Sequence, residues 1–436
     1  MQQPPEARPW REAAGWLALL GPLFFISYGW ANAIAAERSE VGSILFAWEH
    51  SIPFVPWTIL PYWSIDLFYA ASLFVCTTRA ELRTHVSRLF AVQCISVACF
   101  LIWPLRFGFE RPQADGLWGA MFTALGSFDK PFNQAPSLHI SLLVLLWSLY
   151  ARHLLGLPRR LLDIWFALIG VSVLTTFQHH FIDLPTGALL ACLLVWALPF
   201  DEPSPLRRGA YRANRAAVRL GALYAAAAAS CARAAAFGGG AALWLWWPAA
   251  SLLLVALAYL WLGPRALGKH GDGRHAWPVR LLLAPYLIAT WLNSRAWTHR
   301  LAPAVEVAPG VLLGRMPSRK DAEALALSGV IDLAPEMHNP LPPMRVQHLP
   351  ALDLLAPAVA TLADAARLIE TERARGRLLV CCALGFSRSA LAVAAWLVSQ
   401  GHSPASAIAR VRAARPHVVF GDAHVAALGR YAEGLQ

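Results

Sequence analysis

The chain has 436 residues, 57% of them hydrophobic and only 14% charged, against about 25% charged in soluble proteins. Together with a mean hydropathy of +0.46, this excludes a purely soluble protein, and the composition also excludes disorder and a disulfide scaffold. The net charge of +11 comes from basic residues in short loops between apolar runs, which points to a bilayer, with phosphate ligands second, and away from nucleic acid.

Six apolar runs come first, at 16–36, 55–77, 89–105, 138–154, 164–177 and 184–199. A membrane helix needs about 20 residues, so the shorter runs are expected to extend into their flanks. The first run has no small-residue cleavage site and reads as a retained helix. A polar stretch, 201–219, is followed by the Ala-rich run 220–237, which holds Arg233, and by 241–262. These two read as a membrane hairpin, with Trp244, Trp246 and Trp247 at an interface. The alternative is that 279–292, bracketed by Arg280 and Arg295, crosses instead of lying in the interface.

Counting Lys and Arg in alternate loops gives sixteen on one side, Arg207, Arg208, Arg212, Arg215 and Arg219 being the densest group. The other side has four: Arg38, Arg106, Arg111 and Lys130. The rich side, with the N-terminus, is expected in the cytoplasm.

From about Leu301 short β-like runs (311–313, 330–333, 346–349, 378–381) alternate with helical patterns at 359–375, 388–399 and 404–415. That alternation predicts a separate α/β domain. The expected organisation is a membrane domain at 1–200, a linker with two further helices and an interfacial segment at 201–300, and the α/β domain at 301–436. Of the seven cysteines, Cys76, Cys94, Cys99, Cys192 and Cys231 lie in apolar segments, and Cys381 and Cys382 are adjacent. This is neither a disulfide framework nor a zinc pattern.

The sharpest motif is Leu379-Val-Cys-Cys-Ala-Leu-Gly-Phe-Ser-Arg-Ser389. A strand leads into a loop with Cys382 and Arg388 six positions apart, and an apolar helix follows. A loop entering a helix N-terminus aims backbone N–H groups at an anion and favours thiolate. Gly385 permits the tight turn, and the fork of Arg388 can grip two phosphoryl oxygens.

This motif resembles the Cys-x5-Arg loop of the tyrosine and dual-specificity phosphatase superfamily, supported by Arg412-Ala-Ala-Arg-Pro416 and Leu349-Pro-Ala-Leu-Asp353. The resemblance implies that Cys382 attacks phosphorus, Arg388 and Gly385 bind the phosphate, and Ser389 assists breakdown of the phosphocysteine. It makes Asp353, 29 residues before the cysteine, the general acid. Cys381 stands where the family usually keeps His, and reads as a small buried strand residue. A vicinal disulfide with Cys382 would be strained. Asp332, at a strand end, reads as structural.

The second constellation is Pro136-Ser-Leu-His139 with His179-His-Phe-Ile-Asp183. The 40 residues between the two histidines suit one helix down and one back, so both return to one membrane face, the periplasmic one by the charge count. If 179–183 is helical, Asp183 lies beside His179. His180 reads as an interfacial polar residue. Asp66, inside the second run, is either functional or a structural hydrogen-bonding group.

This pattern is similar to the type 2 phosphatidic acid phosphatase superfamily, especially its inositol phosphorylceramide synthase branch. The resemblance implies a six-helix core, a phosphohistidine on His179 oriented by Asp183, and His139 protonating the leaving group. Arg111-Pro112 matches the end of the family's Lys-x6-Arg-Pro element, while Pro104 replaces its Lys and Val173 replaces the Arg before the His. Arg106 is a substitute phosphate ligand.

The combined expectation is a multi-span α-helical membrane domain followed by a cytoplasmic α/β dual-specificity phosphatase-like domain. It would be a bifunctional phosphatase of a bacterial-type inner membrane, acting on lipid phosphates or, alternatively, on protein phosphotyrosine. Neither mechanism calls for a metal or cofactor. Two other readings stand beside it: a phosphoalcohol headgroup transferase coupled to a phosphatase, and a lipid-phosphate sensor regulating a protein phosphatase.

Overall fold

A computed structural model describes residues 6–435 apart from 128, 208, 210, 340 and 342–344; Arg208 of the charge count lies outside the described residues. The chain divides into two compact units, Met1–Ser204 and Pro205–Gln436. Among the described residues five helical stretches are long and apolar enough to cross a membrane: Trp10–Ala36, Pro56–Val75, Arg79–Ile102, Arg215–Gly238 and Gly240–Leu262.

The first unit holds α1 (Trp10–Ala36), α2 (Ile59–Val75), α3 (Arg79–Ile102), α4 (Gly116–Gly126), α5 (Leu138–His153), α6 (Gly156–Thr175) and α7 (Asp183–Ala197). Helix α3 starts ten residues before its apolar run because the Thr78 hydroxyl caps it, accepting from Glu81 N at 3.1 Å. Arg79, Arg83 and Arg88, counted in the sequence as loop charges, are therefore helical. Arg88 is buried, donating to Leu198 O at 2.8 Å and lying 3.9 Å from the Phe200 ring. Helix α4 was not expected; its 11 residues span only about 16 Å.

Helix α5 is apolar around its circumference and is buried accordingly, from Leu138 to Tyr150. Its N-terminus meets that of α7 at Gly187, where a Cβ would sit 2.5 Å from Ser137 O. Ser141 Oγ donates to Gly187 O at 2.9 Å. This close approach brings the Pro-Ser-x-His motif against Asp183.

The second unit begins with α8 (Arg215–Gly238) and α9 (Trp246–Leu257), the latter continued by a wider turn to Leu262. The run 279–292 is not one helix: it breaks at Leu283 into α10 (Trp277–Leu282) and α11 (Ala284–Thr298), with Pro285 in the first turn of α11. Helix α11 is inside out. Tyr286, Ser294 and Thr298 are buried, while Ile288, Trp291, Leu292 and Trp297 are exposed.

The sheet is formed by β1 (Ala304–Ala308), β2 (Val311–Arg315), β3 (Gly329–Asp332), β4 (Arg345–His348) and β5 (Leu378–Cys382). Its order is β1-β2-β5-β3-β4, antiparallel at β1–β2 and parallel elsewhere. Helices α12 (Arg319–Ala324), α13 (Val359–Arg373), α14 (Arg388–Ser399), α15 (Pro404–Ala414) and α16 (Asp422–Glu433) complete it. Strand alternation puts Leu313, Ile331, Val380 and Cys382 in the core shared with α13 and α14, and Leu312, Val330, Leu379 and Cys381 in the opposite one.

The segment expected to be a linker packs on this domain. Lys269 Nζ reaches Asp332 Oδ2 at 2.5 Å and Ala334 O at 2.7 Å, and both side chains of the ion pair are buried. A buried charge needs such a partner, and the sequence holds its two members 63 residues apart.

Candidate active sites

Cys382 ends β5, and the next five residues turn into α14. Gly385 has φ of +75°, and a Cβ there would lie 2.4 Å from Gly314 C, so both conformation and space demand glycine. The turn directs Gly385 N–H onto Cys382 Sγ at 3.3 Å, and Ser389 Oγ donates to the same sulfur at 3.2 Å. Cys381 faces the other side of the sheet, fully buried, and burial pushes its thiol well up. Arg415, from the downstream Arg-Pro motif, donates to Leu384 O at 3.3 Å and so holds the cysteine loop from outside.

Arg388 is completely buried. Its Nη2 and Nη1 grip the two carboxylate oxygens of Glu336 at 2.6 and 3.0 Å, and Nη1 also donates to Ala351 O at 2.8 Å. Asp353 Oδ1 lies 2.8 Å from Nη2, with its side chain 31% exposed. Burial opposes the charge on Arg388, but the carboxylates of Asp353 and Glu336 outweigh it and keep the guanidinium protonated well above its ordinary range. The structure thus brings Cys382, Gly385 and Ser389 into contact, and joins Arg388 to Asp353. Glu336 was missed: it sits in the loop after β3, 52 residues before Arg388, with no local pattern to single it out.

In the first unit His179 lies between Ser137 and Asp183. Its Nδ1 is 3.3 Å from Asp183 Oδ2, and its Nε2 is 3.1 Å from Ser137 Oγ. The carboxylate accepts only, so Nδ1 carries the proton and Nε2 presents its lone pair. Residues 179–182 are not helical, since α7 starts at Asp183, so a helix is not what makes this contact. A turn makes the contact instead, with His180 N donating to Asp183 Oδ2 at 2.9 Å.

His180 is a correction: it is buried rather than interfacial. Glu49 Oε2 lies 3.1 Å from its Nδ1, and Gly108 N–H occupies its Nε2 at 2.8 Å. With that lone pair taken, His180 has no nitrogen left for chemistry, whereas the Nε2 of His179 meets only a hydroxyl.

His139 stacks on Tyr62, with ring centroids 4.2 Å apart, and its buried Nε2 has no partner among the described residues. His139 and His179 line a cavity of about 50 Å³ together with Tyr28, Tyr62, Asp66 and Asp129. Asp129 was also missed; Tyr28 Oη donates to it at 2.9 Å and Tyr62 Oη at 3.5 Å. Neither expected arginine lines this cavity. Arg106 is exposed, and Arg111 lies 5.1 Å from the Phe122 ring with its Nε unpartnered among the described residues.

No family model and no curated protein matches the chain. Several solved structures are similar to about a third of it. Human DUSP28 is 28% identical, covering 31% of this chain and 95% of that chain, with a TM-score of 0.29. Tk-PTP in its active form is 30% identical, covering 30% of this chain and 97% of that chain, with a TM-score of 0.27. PTPMT1 in complex with PI(5)P is 20% identical, covering 30% of this chain and 96% of that chain, also with a TM-score of 0.27.

Proposed function

We propose that the chain is a membrane-bound phosphoric monoester hydrolase whose α/β domain works through a phosphocysteine. The observation that carries this reading is Cys382 Sγ at a strand end, receiving Gly385 N–H and Ser389 O–H, beside an Arg388 that bridges to Asp353. The thiolate of Cys382 attacks phosphorus and the ester P–O bond breaks. An arriving phosphoryl group, entering as its monoanion, displaces the Asp353 carboxylate from Arg388 Nη2, and the freed carboxylate takes up the phosphate's proton and delivers it to the leaving oxygen as the P–O bond breaks. Asp353 then takes a proton from water as it attacks the S–P bond, and the Ser389 hydroxyl stabilises the departing thiolate. With Glu336 holding the Nη1–Nη2 edge, Arg388 offers phosphoryl oxygens its other edge, Nη2 and Nε, and Nε has no partner among the described residues.

A lipid phosphate is the preferred substrate class. The apolar hairpin α8–α9 and the outward Trp and Ile side chains of α11 belong to the same compact unit as Cys382, so a bilayer-held phosphomonoester is concentrated at the site. The loop charge count supports a cytoplasmic location for this unit, where thiols stay reduced, and a periplasmic face for the histidines.

The His179 cluster favours a second phosphoryl-transfer site. Nε2 of His179, with Asp183 behind it, is set to attack phosphorus, and His139 with its unpartnered nitrogen to protonate the leaving group. Water as acceptor gives a phosphatase and a lipid alcohol gives a headgroup transferase. A cluster that binds phosphate without turnover gives the sensor.

The test is an assay of membranes on phosphatidate, phosphatidylglycerophosphate, isoprenyl diphosphate and a phosphotyrosine peptide, with Cys382→Ser and His179→Ala. Cys382→Ser is expected to abolish the main phosphomonoesterase activity; full retention overturns the cysteine mechanism.

A further inference from the structure

Three loops make up the cysteine site: the turn after Cys382, the loop holding Glu336, and the loop holding Asp353. Each receives a hydroxyl from outside the α/β fold, on a backbone carbonyl. Ser294 Oγ donates to Ala383 O at 2.6 Å, Thr290 Oγ1 to Glu336 O at 3.0 Å, and Tyr259 Oη to Asp353 O at 3.0 Å. Thr290 and Ser294 lie on the inward face of α11, and Tyr259 lies in the last turn of the second hairpin helix.

A phosphate-cradling turn must point its N–H groups inward, which drives its carbonyls outward into the protein. A buried carbonyl without a donor is costly. In this turn Leu384 O is met by Arg415 and Ala383 O by the buried Ser294. The acid loop has a related need. Leu354, next to Asp353, has φ of +59° and an exposed side chain, a strained conformation that persists only when the surroundings hold it. Tyr259 supplies a hold, and its own backbone oxygen accepts from Tyr211 Oη at 2.8 Å.

We propose that Tyr259 and Ser294 are positioning residues of the cysteine site. Tyr259 fixes the acid loop so that Asp353 reaches the leaving oxygen, and Ser294 fixes the turn that cradles the phosphoryl group. The inference rests on the phosphocysteine reading and adds to it that the membrane-associated segment 259–298 completes the site.

The full chain in lipid nanodiscs would be assayed on phenyl phosphate, a poor leaving group, and 4-nitrophenyl phosphate, a good one. Misplacing a general acid penalises the poor leaving group selectively, so Tyr259→Phe is expected to lower kcat for phenyl phosphate about 10-fold. For 4-nitrophenyl phosphate it changes kcat less than about 2-fold, with KM constant for both. Equal losses on the two substrates, or no loss on either, overturn the role of Tyr259. Ser294→Ala is expected to raise the inhibition constant of inorganic phosphate about 5-fold, with Ser294→Thr restoring it; an unchanged constant overturns the role of Ser294. If Tyr259→Phe does not accumulate, the Ser294 arm decides alone. Cys382→Ser separates the two levels. Turnover surviving in that variant removes the phosphocysteine reading itself, whereas turnover lost there but normal in Tyr259→Phe and Ser294→Ala removes only the positioning.

Discussion

Glu336 and Arg388 meet in a buried two-pronged ion pair, Nη2 to Oε1 at 2.6 Å and Nη1 to Oε2 at 3.0 Å. The pair sets the plane of the guanidinium before substrate arrives, leaving Asp353 as the more exposed and exchangeable partner.

Removing Glu336 leaves the fully buried Arg388 with only the part-exposed Asp353 carboxylate as counter-charge. Glu336→Gln should therefore destabilise the second unit by about 3 kcal/mol, read as a lower urea midpoint at unchanged m-value. It should also lower kcat/KM on phosphomonoesters more than 10-fold, because the Arg388 fork loses its orientation. Wild-type turnover in a fully folded Glu336→Gln chain would refute that assignment.

Lys269 and Asp332 make the same argument for the segment before the sheet. Lys269→Met strands the buried Asp332 carboxylate, with an expected cost of about 3–5 kcal/mol. Lys269→Met combined with Asp332→Leu should recover most of it, since an apolar pair of similar volume is often neutral. Thermal unfolding of the three chains in one detergent tests this. A fragment lacking 205–298 should be less stable than the full second unit for the same reason.

What the sequence made legible follows from how locally each feature is encoded. The turn from Cys382 to Ser389 is one strand–loop–helix, so glycine, arginine and hydroxyl fall at readable spacings, and the structure sets Gly385 and Ser389 on one sulfur. The contact of His179 with Asp183 was readable from its four-residue spacing, although a turn rather than a helix makes it. Glu336, Asp129 and Lys269 were not readable, because each takes its role from a partner far along the chain. The inside-out face of α11 was hidden differently: apolar periodicity finds a stripe but does not tell whether protein or lipid covers it.

His275 gives the second unit an acid limit. It is buried, Nε2–H donating to Pro335 O at 2.8 Å, and burial, aided by nearby Lys269 and His338, pushes its pKa down to about 3. The ordinary value is about 6.5, so the unfolded chain takes up a proton that the folded one refuses, and stability falls as pH drops below about 6.5. At pH 5 the loss from this group is at most about 2 kcal/mol. Urea unfolding at pH 7.5, 6 and 5 should show the decline, and His275→Gln, which keeps the donor without the titration, should make it shallower, the remainder coming from His348, which burial pushes down to about 4. An identical slope in that variant would place the acid sensitivity elsewhere.

The two candidate sites should fail independently, and this separates a bifunctional enzyme from a sensor coupled to one. Asp183 holds His179 in the tautomer that exposes Nε2, so Asp183→Asn should cost histidine-site turnover about 100-fold or more while leaving fold and lipid binding intact. His179→Ala should abolish that activity, and neither change should touch phosphomonoester hydrolysis through Cys382. Products resolved with labelled phosphatidate, with and without an added lipid alcohol, identify the acceptor. A Cys382→Ser chain that retains all histidine-site product, beside an Asp183→Asn chain that loses it, establishes two chemistries. If every activity vanishes with Cys382→Ser and Asp183→Asn only changes its lipid dependence, the histidine cluster is a binding site for lipid phosphate, and His179 Nε2 serves recognition rather than attack.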